Sequence, residues 1–267
     1  MLNLTNNVAK QKYLRSMTRQ QIILEKSFAK RLSPIIHAQF HASARVIRGG
    51  SRDIDSAIKL KRADLIKEFS RMYRQTAVTL KENVDKNLKK GVSIPEIKSG
   101  DETFWSTLNF WIDTYAGKKV TRVNESTKKT IEKIIKKGME NEDSNAIIAE
   151  KIDAISEIAD KSRAATIART ETHGAAVMAV DSSIRDYLGD SLSTKEWVAA
   201  LDERTRDDHA EVNGDIVNEN ESFSVGEDDM EYPGDPSASP GQVINCRCVV
   251  IYHTKTGDIE SEGLDNE

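Results

Sequence analysis

The feature that most constrains the fold of this chain is a change in sequence pattern near Gly189. Before this residue, apolar positions recur at the three- and four-residue spacing of amphipathic helices. After it, short runs of β-branched and aromatic residues alternate with turn residues. This pattern predicts an α+β fold, mainly α, in which an elongated helical N-terminal body precedes a small C-terminal module of helices and a short antiparallel sheet.

Residues 8–48 have a helical composition that is interrupted at Pro34 and closed by Gly49-Gly50. Either one long helix or two shorter helices fit this stretch. A longer helix follows, which Asp53 or Asp55 caps and which ends near Gly91. Its apolar or neutral face is predicted from spacings of three, four and seven and contains Ile58, Leu65, Phe69, Met72, Thr76, Leu80, Val84 and Leu88. A second cluster, predicted to pack helix against helix, contains Phe104, Trp105, Leu108, Trp111, Ile112 and Tyr115.

Three further helices are predicted between residues 120 and 188. The first runs to about Lys137, and the second is capped by Asp143 or Ser144. The third spans about Ser162 to Leu188, is rich in alanine and glycine, and ends at Gly189. Small side chains let another element approach closely, so the third helix is expected to be central. The apolar face of the second helix is predicted to contain Ile148, Ile152, Ile155 and Ala159.

The segment after Gly189 is predicted to form the sheet. The best strand candidates are residues 194–201 and 246–253, with short strands at 216–217 and 223–225 between them. Residues 226–240 carry several acidic residues and prolines and are predicted to be an exposed loop. Residues 257–267 are predicted to be a flexible acidic tail.

The absence of a long apolar run and of a secretion signal, together with the cysteine spacing, favours a soluble protein that stays inside a cell. No apolar run approaches the roughly 18 residues needed to cross a bilayer, and the first residues lack the pattern of a secretion signal. We therefore expect no membrane partner. The chain has two cysteines, Cys246 and Cys248, which are separated by one residue. A disulfide between them would close a small, strained ring, so reduced or metal-bound thiols are expected.

Charge is distributed unevenly along the chain, although the net charge is only −4. Residues 1–100 carry a net charge of +13, residues 101–190 carry −3 and residues 191–267 carry −14. The basic segment favours nucleic acid or an acidic protein as its neighbour, and the acidic segment favours a basic surface. The alternative is that the charges of both segments are only solvated faces without a charged partner. The side chains predicted to contact DNA phosphates are Arg62, Lys67, Arg71, Arg74, Lys81, Lys86, Lys89 and Lys90.

The polar residues from Arg169 to Cys248 carry a resemblance to a known family. In chain order they are Arg169-Thr170-Glu171, Trp197, Asp202 with Arg204 and Arg206, His209, Gly214, and Asn245-Cys246-Arg247-Cys248. Their order and spacing resemble those of the bacteriophage head morphogenesis (minor capsid) proteins related to the F protein of phage Mu. The resemblance implies a boundary near residue 118, with a basic helical region at 1–118 and a Mu F-like module at 119–256.

The resemblance also implies a function. Such a protein would be a minor capsid component of a tailed bacteriophage that acts in procapsid assembly. It would associate with the portal protein and with a major capsid or scaffolding protein, and it would contact packaged or ejected double-stranded DNA without sequence preference. It would lie inside the phage head after assembly in the host bacterial cytoplasm, and it would not be an enzyme.

The chemistry of the module residues supports a structural role. Asp202, Arg204 and Arg206 lie at a turn, where carboxylate and guanidinium groups hold a loop through charge-assisted hydrogen bonds. Arg169 and Glu171 are expected to project from their helix in different directions, one towards the sheet or its loop and one towards a neighbouring helix. The favoured interpretation is a buried salt-bridge network that joins helix to sheet, rather than a catalytic site.

A metal site is a separate hypothesis for His209, Cys246 and Cys248. Two thiolates and an imidazole suit zinc, which takes four tetrahedral ligands when it is structural. Many relatives resemble a Cys-x-x-Cys version of the turn, whereas this chain has Arg206 and His209 there. A fourth ligand would have to come from Asp202, His173 or His253. The alternative is that the cysteines are small core residues and His209 is a hydrogen-bonded structural histidine.

Two enzymatic alternatives are an ADP-ribosyltransferase-like toxin and a metal-dependent nuclease. A helical arginine with a later glutamate fits the first, and Asp202, His209 and Asn245 fit the second. The sequence lacks a nicotinamide-binding constellation, a compact nuclease motif and a glycine-rich phosphate loop. These absences favour the non-enzymatic interpretation.

Overall fold

The computed structural model describes residues 7–91 and 101–254, without the side chains of residues 7–9, 11, 12, 86–91, 101 and 157–160. The helices are α1 (Asn7–Arg48), α2 (Asp55–Lys59), α3 (Arg62–Gly91), α4 (Asp101–Glu140), α5 (Asn145–Leu188), α6 (Asp207–Glu211) and α7 (Pro240–Val243). The strands are β1 (Leu192–Val198), β2 (Ile216–Asn218), β3 (Phe223–Val225), β4 (Asp228–Met230) and β5 (Val249–Thr254). The prediction of a mainly helical α+β fold with a small C-terminal antiparallel sheet is confirmed.

The chain forms two compact units that are interleaved in sequence. Unit 1 comprises Met1–Arg19, Ala77–Thr107 and His173–Glu267, and unit 2 comprises Gln20–Thr76 and Leu108–Thr172. The four boundaries between the units lie inside the continuous helices α1, α3, α4 and α5. The boundaries of the Mu F-like module near residues 118 and 256 remain predictions from the family resemblance.

Helix α1 is one continuous helix that includes Pro34. A proline inside a helix removes one backbone hydrogen bond and costs about 3 kcal/mol. Leu32 and Ile36, on either side of Pro34, are both fully buried. Burial of apolar side chains on both sides of the proline offsets this cost, and it decides between the one-helix and two-helix alternatives.

The helix predicted from Asp53 or Asp55 to Gly91 is divided into α2 and α3 by a turn at Leu60-Lys61. The carboxylate of Asp53 accepts a hydrogen bond from the backbone N–H of Asp55 (3.1 Å), at the start of α2. The predicted apolar face is buried from Ile58 to Leu80. Val84 is half-buried, and the side chain of Leu88 lies outside the described residues.

Helices α4 and α5 are longer than the predicted helices. The aromatic cluster and the predicted helix at 120–137 belong to the same helix, α4. The prediction of two helices between residues 144 and 188 is wrong, because α5 is continuous. No glycine or proline interrupts residues 145–173, so helix propagation meets no barrier there. Ser144 caps α5 as predicted, since its Oγ accepts a hydrogen bond from the N–H of Ile147 (3.3 Å).

The core of unit 2 contains a chain of edge-to-face aromatic rings. Phe28 packs on Phe69 (5.5 Å between ring centroids), Phe69 on Tyr73 (5.9 Å), and Tyr73 on Trp111 (4.4 Å). All four side chains are buried. The aromatic cluster therefore packs helix against helix as predicted, although Trp105 is 38% exposed. Ile155, predicted to be buried, is exposed, and Ser156 is buried in its place at the four-residue spacing from Ile152.

The sheet of unit 1 has three antiparallel strands in the order β2-β1-β5. In its register Trp197 pairs with Val250, and Val198 pairs with Val249. Strand β1 starts two residues earlier than predicted, and β5 starts after the cysteines at Val249. A second sheet of two strands, β3 and β4, pairs Phe223 with Met230.

The prediction of an exposed loop at 226–240 is wrong. This segment contains β4, and Met230, Tyr232, Asp235 and Ala238 are buried in it. The carboxylate of Asp235 accepts hydrogen bonds from the backbone N–H groups of Glu231 (2.9 Å) and Ser237 (2.8 Å). Because these backbone groups are satisfied internally, the acidic, proline-rich segment can be buried.

Among the described helices, none combines the length and the apolar character that crossing a bilayer requires. The predicted tail at 257–267 and the side chains of Lys86, Lys89 and Lys90 lie outside the described residues.

Candidate functional site

Trp197 lies at the centre of the predicted module. Its side chain on β1 is fully buried, and its ring contacts His209 (5.3 Å between centroids) and Phe223 (5.4 Å) edge to face. Its carbonyl oxygen accepts a hydrogen bond from the N–H of Gly214 (2.8 Å), and its N–H donates to the carbonyl of Asp215 (3.0 Å). One tryptophan thus joins the sheet, α6 and the turn before β2.

The turn before α6 is organised by Asp202. Its Oδ1 accepts a hydrogen bond from the backbone N–H of Arg204 (3.0 Å), and its own N–H donates to Oγ1 of Thr205 (3.0 Å). Arg247 donates to both carboxylate oxygens of Asp202, with its Nη2 2.6 Å from Oδ1. This bidentate pair joins residues that are 45 positions apart in sequence. This pair is partly exposed and joins the turn to the segment before β5, so it differs from the predicted buried network between helix and sheet.

The hydrogen bonds from Arg247 hold the pKa of Asp202 well below its usual range, and the N–H of Arg204 adds to this effect. Since the pKa is lower in the folded protein, the pair contributes stability above pH 4, near the pKa of an unfolded aspartate at about 3.9. That contribution is lost as the pH falls through the folded-state pKa.

We expect Asp202→Asn to lower the free energy of unfolding by about 1 kcal/mol or less at pH 7, because the pair is partly solvent-exposed and therefore screened. The difference between wild type and variant should decrease below about pH 4 and continue to decrease towards pH 2. Urea denaturation at several pH values measures it. Glu203→Gln, in the same exposed turn, is the control. A difference that stays constant from pH 7 to pH 2 would contradict the assignment.

His209, Cys246 and Cys248 meet in the interior of unit 1. Nδ1 of His209 lies 3.4 Å from Sγ of Cys248 and 3.7 Å from Sγ of Cys246, and all three residues are buried. Neither cysteine forms a disulfide. The hydrogen bond from Cys246 holds the pKa of the Cys248 thiol below its ordinary value. The three predicted ligands therefore form one cluster.

Sequence reasoning missed two residues that orient His209. Nε2 of His209 lies 3.0 Å from Oε1 of Gln242, and Nε2 of Gln242 donates to Oδ2 of Asp208 (2.6 Å). Gly226 packs closely against Asp208 and Gln242, since a Cβ at position 226 would lie 2.6 Å from Oδ2 of Asp208. Gln242 lies between the predicted loop at 226–240 and the predicted strand at 246–253, and its sequence surroundings carry no signal for this contact.

The remaining module residues shape the backbone near the cluster. Gly214 and Asn245 have positive φ angles of 90° and 60°, a conformation that glycine and asparagine tolerate better than other residues. Arg206 donates a hydrogen bond to the carbonyl oxygen of Ile244. The Asn-Cys-Arg-Cys segment is thereby held beside the turn that precedes α6.

Asp202 and His253, two of the three suggested fourth ligands, have partners elsewhere. Asp202 binds Arg247, and Nε2 of His253 lies 3.2 Å from Oε2 of Glu196. His173, the third, is buried beside Gly234. Burial lowers the pKa of His173 to about 4, and the charges of His209 and Arg247 act in the same direction.

Arg169 and Glu171 lie in unit 2, where their contacts are with helices. Nε of Arg169 lies 3.7 Å from Oε2 of Glu25, and Oε2 of Glu171 accepts a hydrogen bond from the Tyr73 hydroxyl (2.6 Å). Glu171 also pairs with Nζ of Lys119 (3.4 Å). The expectation that this motif joins the helix to the sheet or its loop is corrected, because these contacts join α5 to α1, α3 and α4.

Five of the predicted DNA-contact side chains are described, and they differ in their surroundings. Arg62 donates to Thr121 (3.1 Å), and Lys81 pairs with Asp85 (2.8 Å). Arg74 is exposed and donates to Oδ1 of Asn109 (3.2 Å). Lys67 and Arg71 are exposed on the same side of α3, at a spacing of four residues.

Comparisons with known proteins match the region that contains this cluster. Residues 129–251 match the family model described as Phage Mu protein F like protein. A curated relative, the minor head protein GP7 of Bacillus phage SPP1, is 33% identical over 96 residues. That match covers 34% of this chain and 29% of the relative. No solved structure matches this chain.

The matched region includes the Asp202 turn, His209, Gly214 and the Asn-Cys-Arg-Cys segment, all of which meet in unit 1. The spatial cluster therefore lies within the matched region. Residues 129–251 of this chain are similar to Phage Mu protein F like proteins, in agreement with the order and spacing of the motifs.

Proposed function

We propose that this chain is a minor head protein of a tailed bacteriophage that acts in head assembly. The observation that supports this proposal best is that the region matched by the family model contains a folded cluster that includes Trp197 and the Asp202–Arg247 pair. Polar groups of this cluster bind one another across long sequence separations. Such an arrangement suits a rigid assembly module better than a catalytic site, whose groups must remain available to a substrate.

In this proposal the protein is assembled in the host bacterial cytoplasm and remains inside the head of the virion. Its partners are the portal protein and a major capsid or scaffolding protein. Residues 191–267 carry a net charge of −14, which favours a basic partner surface. The name of the relative from phage SPP1, a minor head protein, supports the assignment to the head. The contact with the portal protein is a further part of the proposal, which that name does not include.

The head assignment is tested in phage particles. Purified procapsids and virions are expected to contain the full-length chain, and the portal protein is expected to co-purify with it during assembly. A matched set of variants tests the module. Arg247→Asp should reduce incorporation because two carboxylates then face each other, and adding Asp202→Arg should restore it by reversing the pair. Absence of the chain from both kinds of particle would overturn the proposal.

We also propose that an exposed basic face of α3 contacts packaged DNA. This face contains Lys67, Arg71 and Arg74, whose spacing of four and three residues places them on one side of the helix. Exposed Lys and Arg side chains neutralise phosphates, release counterions and bind without sequence preference. Arg62 and Lys81 are less available, because each is half-buried and bound to a neighbouring side chain, whereas Arg74 is exposed.

A double charge reversal, Lys67→Glu with Arg71→Glu, should weaken binding of the full-length chain to non-specific duplex DNA by at least about tenfold at low salt. The slope of log affinity against log salt concentration should decrease by about 2. Filter binding at a series of salt concentrations measures both. The control is Lys133→Glu with Lys137→Glu, which makes the same charge change at exposed positions of α4. Equal losses in both variants would contradict a specific role for α3.

A further inference from the structure

The strongest unassigned site of the described residues is the buried cluster of two thiols and one imidazole. The ligand atoms of His209, Cys246 and Cys248 all lie within 4.8 Å of one another. We propose that these three residues bind one zinc ion and that a solvent molecule completes a tetrahedral site. This proposal goes beyond the role in head assembly and stands independently of it.

The distances between the ligand atoms fit zinc. Zinc binds thiolate sulfur at about 2.3 Å and imidazole nitrogen at about 2.0–2.1 Å, so a tetrahedral angle separates the two atoms by about 3.5 Å. The observed distances from Nδ1 of His209 to the two sulfur atoms are 3.4 and 3.7 Å. An ion placed among these atoms therefore requires little movement of the side chains.

The orientation of His209 also fits a metal ligand. Nε2 of His209 faces the side-chain amide oxygen Oε1 of Gln242 at 3.0 Å, so Nε2 carries the ring proton. The lone pair on Nδ1 then points to the sulfur atoms. Asp208 in turn accepts a hydrogen bond from the Gln242 amide (2.6 Å). A carboxylate or amide that holds the second ring nitrogen is the usual support for a metal-binding histidine. Gln242 and Asp208 are therefore positioning residues.

The charges near the cluster are compatible with a cation. Two thiolates neutralise Zn²⁺, so the loaded centre has no net charge. Asp202 neutralises Arg247, which would otherwise oppose the ion from the position between the two cysteines. Arg206 remains near Cys246, and its guanidinium is turned to the carbonyl of Ile244.

The solvent ligand follows from the set of donors in the described part of the chain. His209, Cys246 and Cys248 form the group of protein ligands there, and His173 does not belong to this group. Asp202 and His253 are held by Arg247 and Glu196, at distances of 2.6 and 3.2 Å. Three protein ligands with one exchangeable position distinguish this site from a closed structural zinc site with four.

The full-length protein tests the proposal. Elemental analysis is expected to find one zinc ion per chain, and X-ray absorption at the zinc edge should find two sulfur atoms and two lighter atoms bound to it. Chelation should lower the melting temperature, and added zinc should restore it. Cobalt added to the metal-free protein should produce thiolate charge-transfer absorption, which does not depend on the stability of any variant.

Variants separate the ligands from their neighbours. Cys246→Ser and Cys248→Ser should each lose stoichiometric zinc, whereas His253→Gln, the control, should retain it. Gln242→Leu should bind zinc about 10- to 100-fold more weakly, because His209 loses its positioning partner. Protein without bound metal, no cobalt–thiolate absorption and an unchanged melting temperature after zinc addition would overturn the proposal. A coordination shell of four protein ligands would contradict the proposal that a solvent molecule is the fourth ligand.

Discussion

Trp197→Ala is expected to lower the free energy of unfolding of unit 1 by about 3–5 kcal/mol. The side chain is fully buried and packs against His209 and Phe223, so its removal leaves a large cavity at the junction of β1, α6 and β3. Native-state hydrogen exchange of the β1 and β5 amides measures the loss without relying on tryptophan fluorescence. Zinc affinity should fall in the same variant, because the ring of His209 loses the surface on which it packs.

Trp105→Ala is the matched control for this variant. Trp105 belongs to the same unit but is 38% exposed, so the same chemical change should cost less than about 1 kcal/mol at the same amides. Trp197→Phe should give an intermediate loss, since a smaller ring still fills part of the space. If the losses at positions 197 and 105 were equal, Trp197 would not be the centre of the module.

The second large effect is expected at the buried ion pair of unit 2. Glu171→Leu should lower the free energy of unfolding by about 3–5 kcal/mol, because Lys119 would remain buried without its counter-charge. Both residues are only 8% exposed. The hydroxyl of Tyr73 would also lose its acceptor. Native-state hydrogen exchange of α3 and α4 amides in unit 2 measures the loss.

A cycle of variants separates the cost of breaking the pair from its net contribution. Combining Tyr73→Phe, Lys119→Met and Glu171→Leu removes all three polar groups, and stability should return to within about 2 kcal/mol of wild type. The control is Glu140→Leu, which breaks an exposed pair with Lys136 and should change stability by less than about 1 kcal/mol. If the triple variant were as unstable as Glu171→Leu alone, the loss would come from packing and not from unpaired buried charge.

The helices of this protein were largely predictable, because local signals determine them. The apolar face of α3, the cap at Ser144 and the end of α5 at Gly189 follow from periodicity and capping chemistry within a few residues. The lengths of the helices were less predictable. Whether α1 continues through Pro34 depends on the burial of Leu32 and Ile36, which is a property of the packed core.

The candidate site also has features that could be predicted from the sequence and features that could not. Cys246 and Cys248 could be assigned to one cluster from their spacing, and the order of the motifs indicated that His209 joins them. The contacts of Gln242 and Asp208 with that cluster carry no local signal, since they form between segments more than 30 residues apart. The partners of Glu171 were missed because a helix periodicity identifies a buried face but not the element that covers it.

By itself, the sequence determined that this is a helical chain with a small C-terminal sheet and with motifs similar to those of Mu F-like proteins, because these properties depend on residue order and short-range spacing. Only the tertiary structure decided that Met230 and residues 232–236 are buried, that Asp202 binds Arg247, and that the imidazole of His209 is oriented towards two thiols. The physical reason is that burial and pairing of polar groups are decided by distant segments, which must satisfy each other's hydrogen bonds once water is excluded.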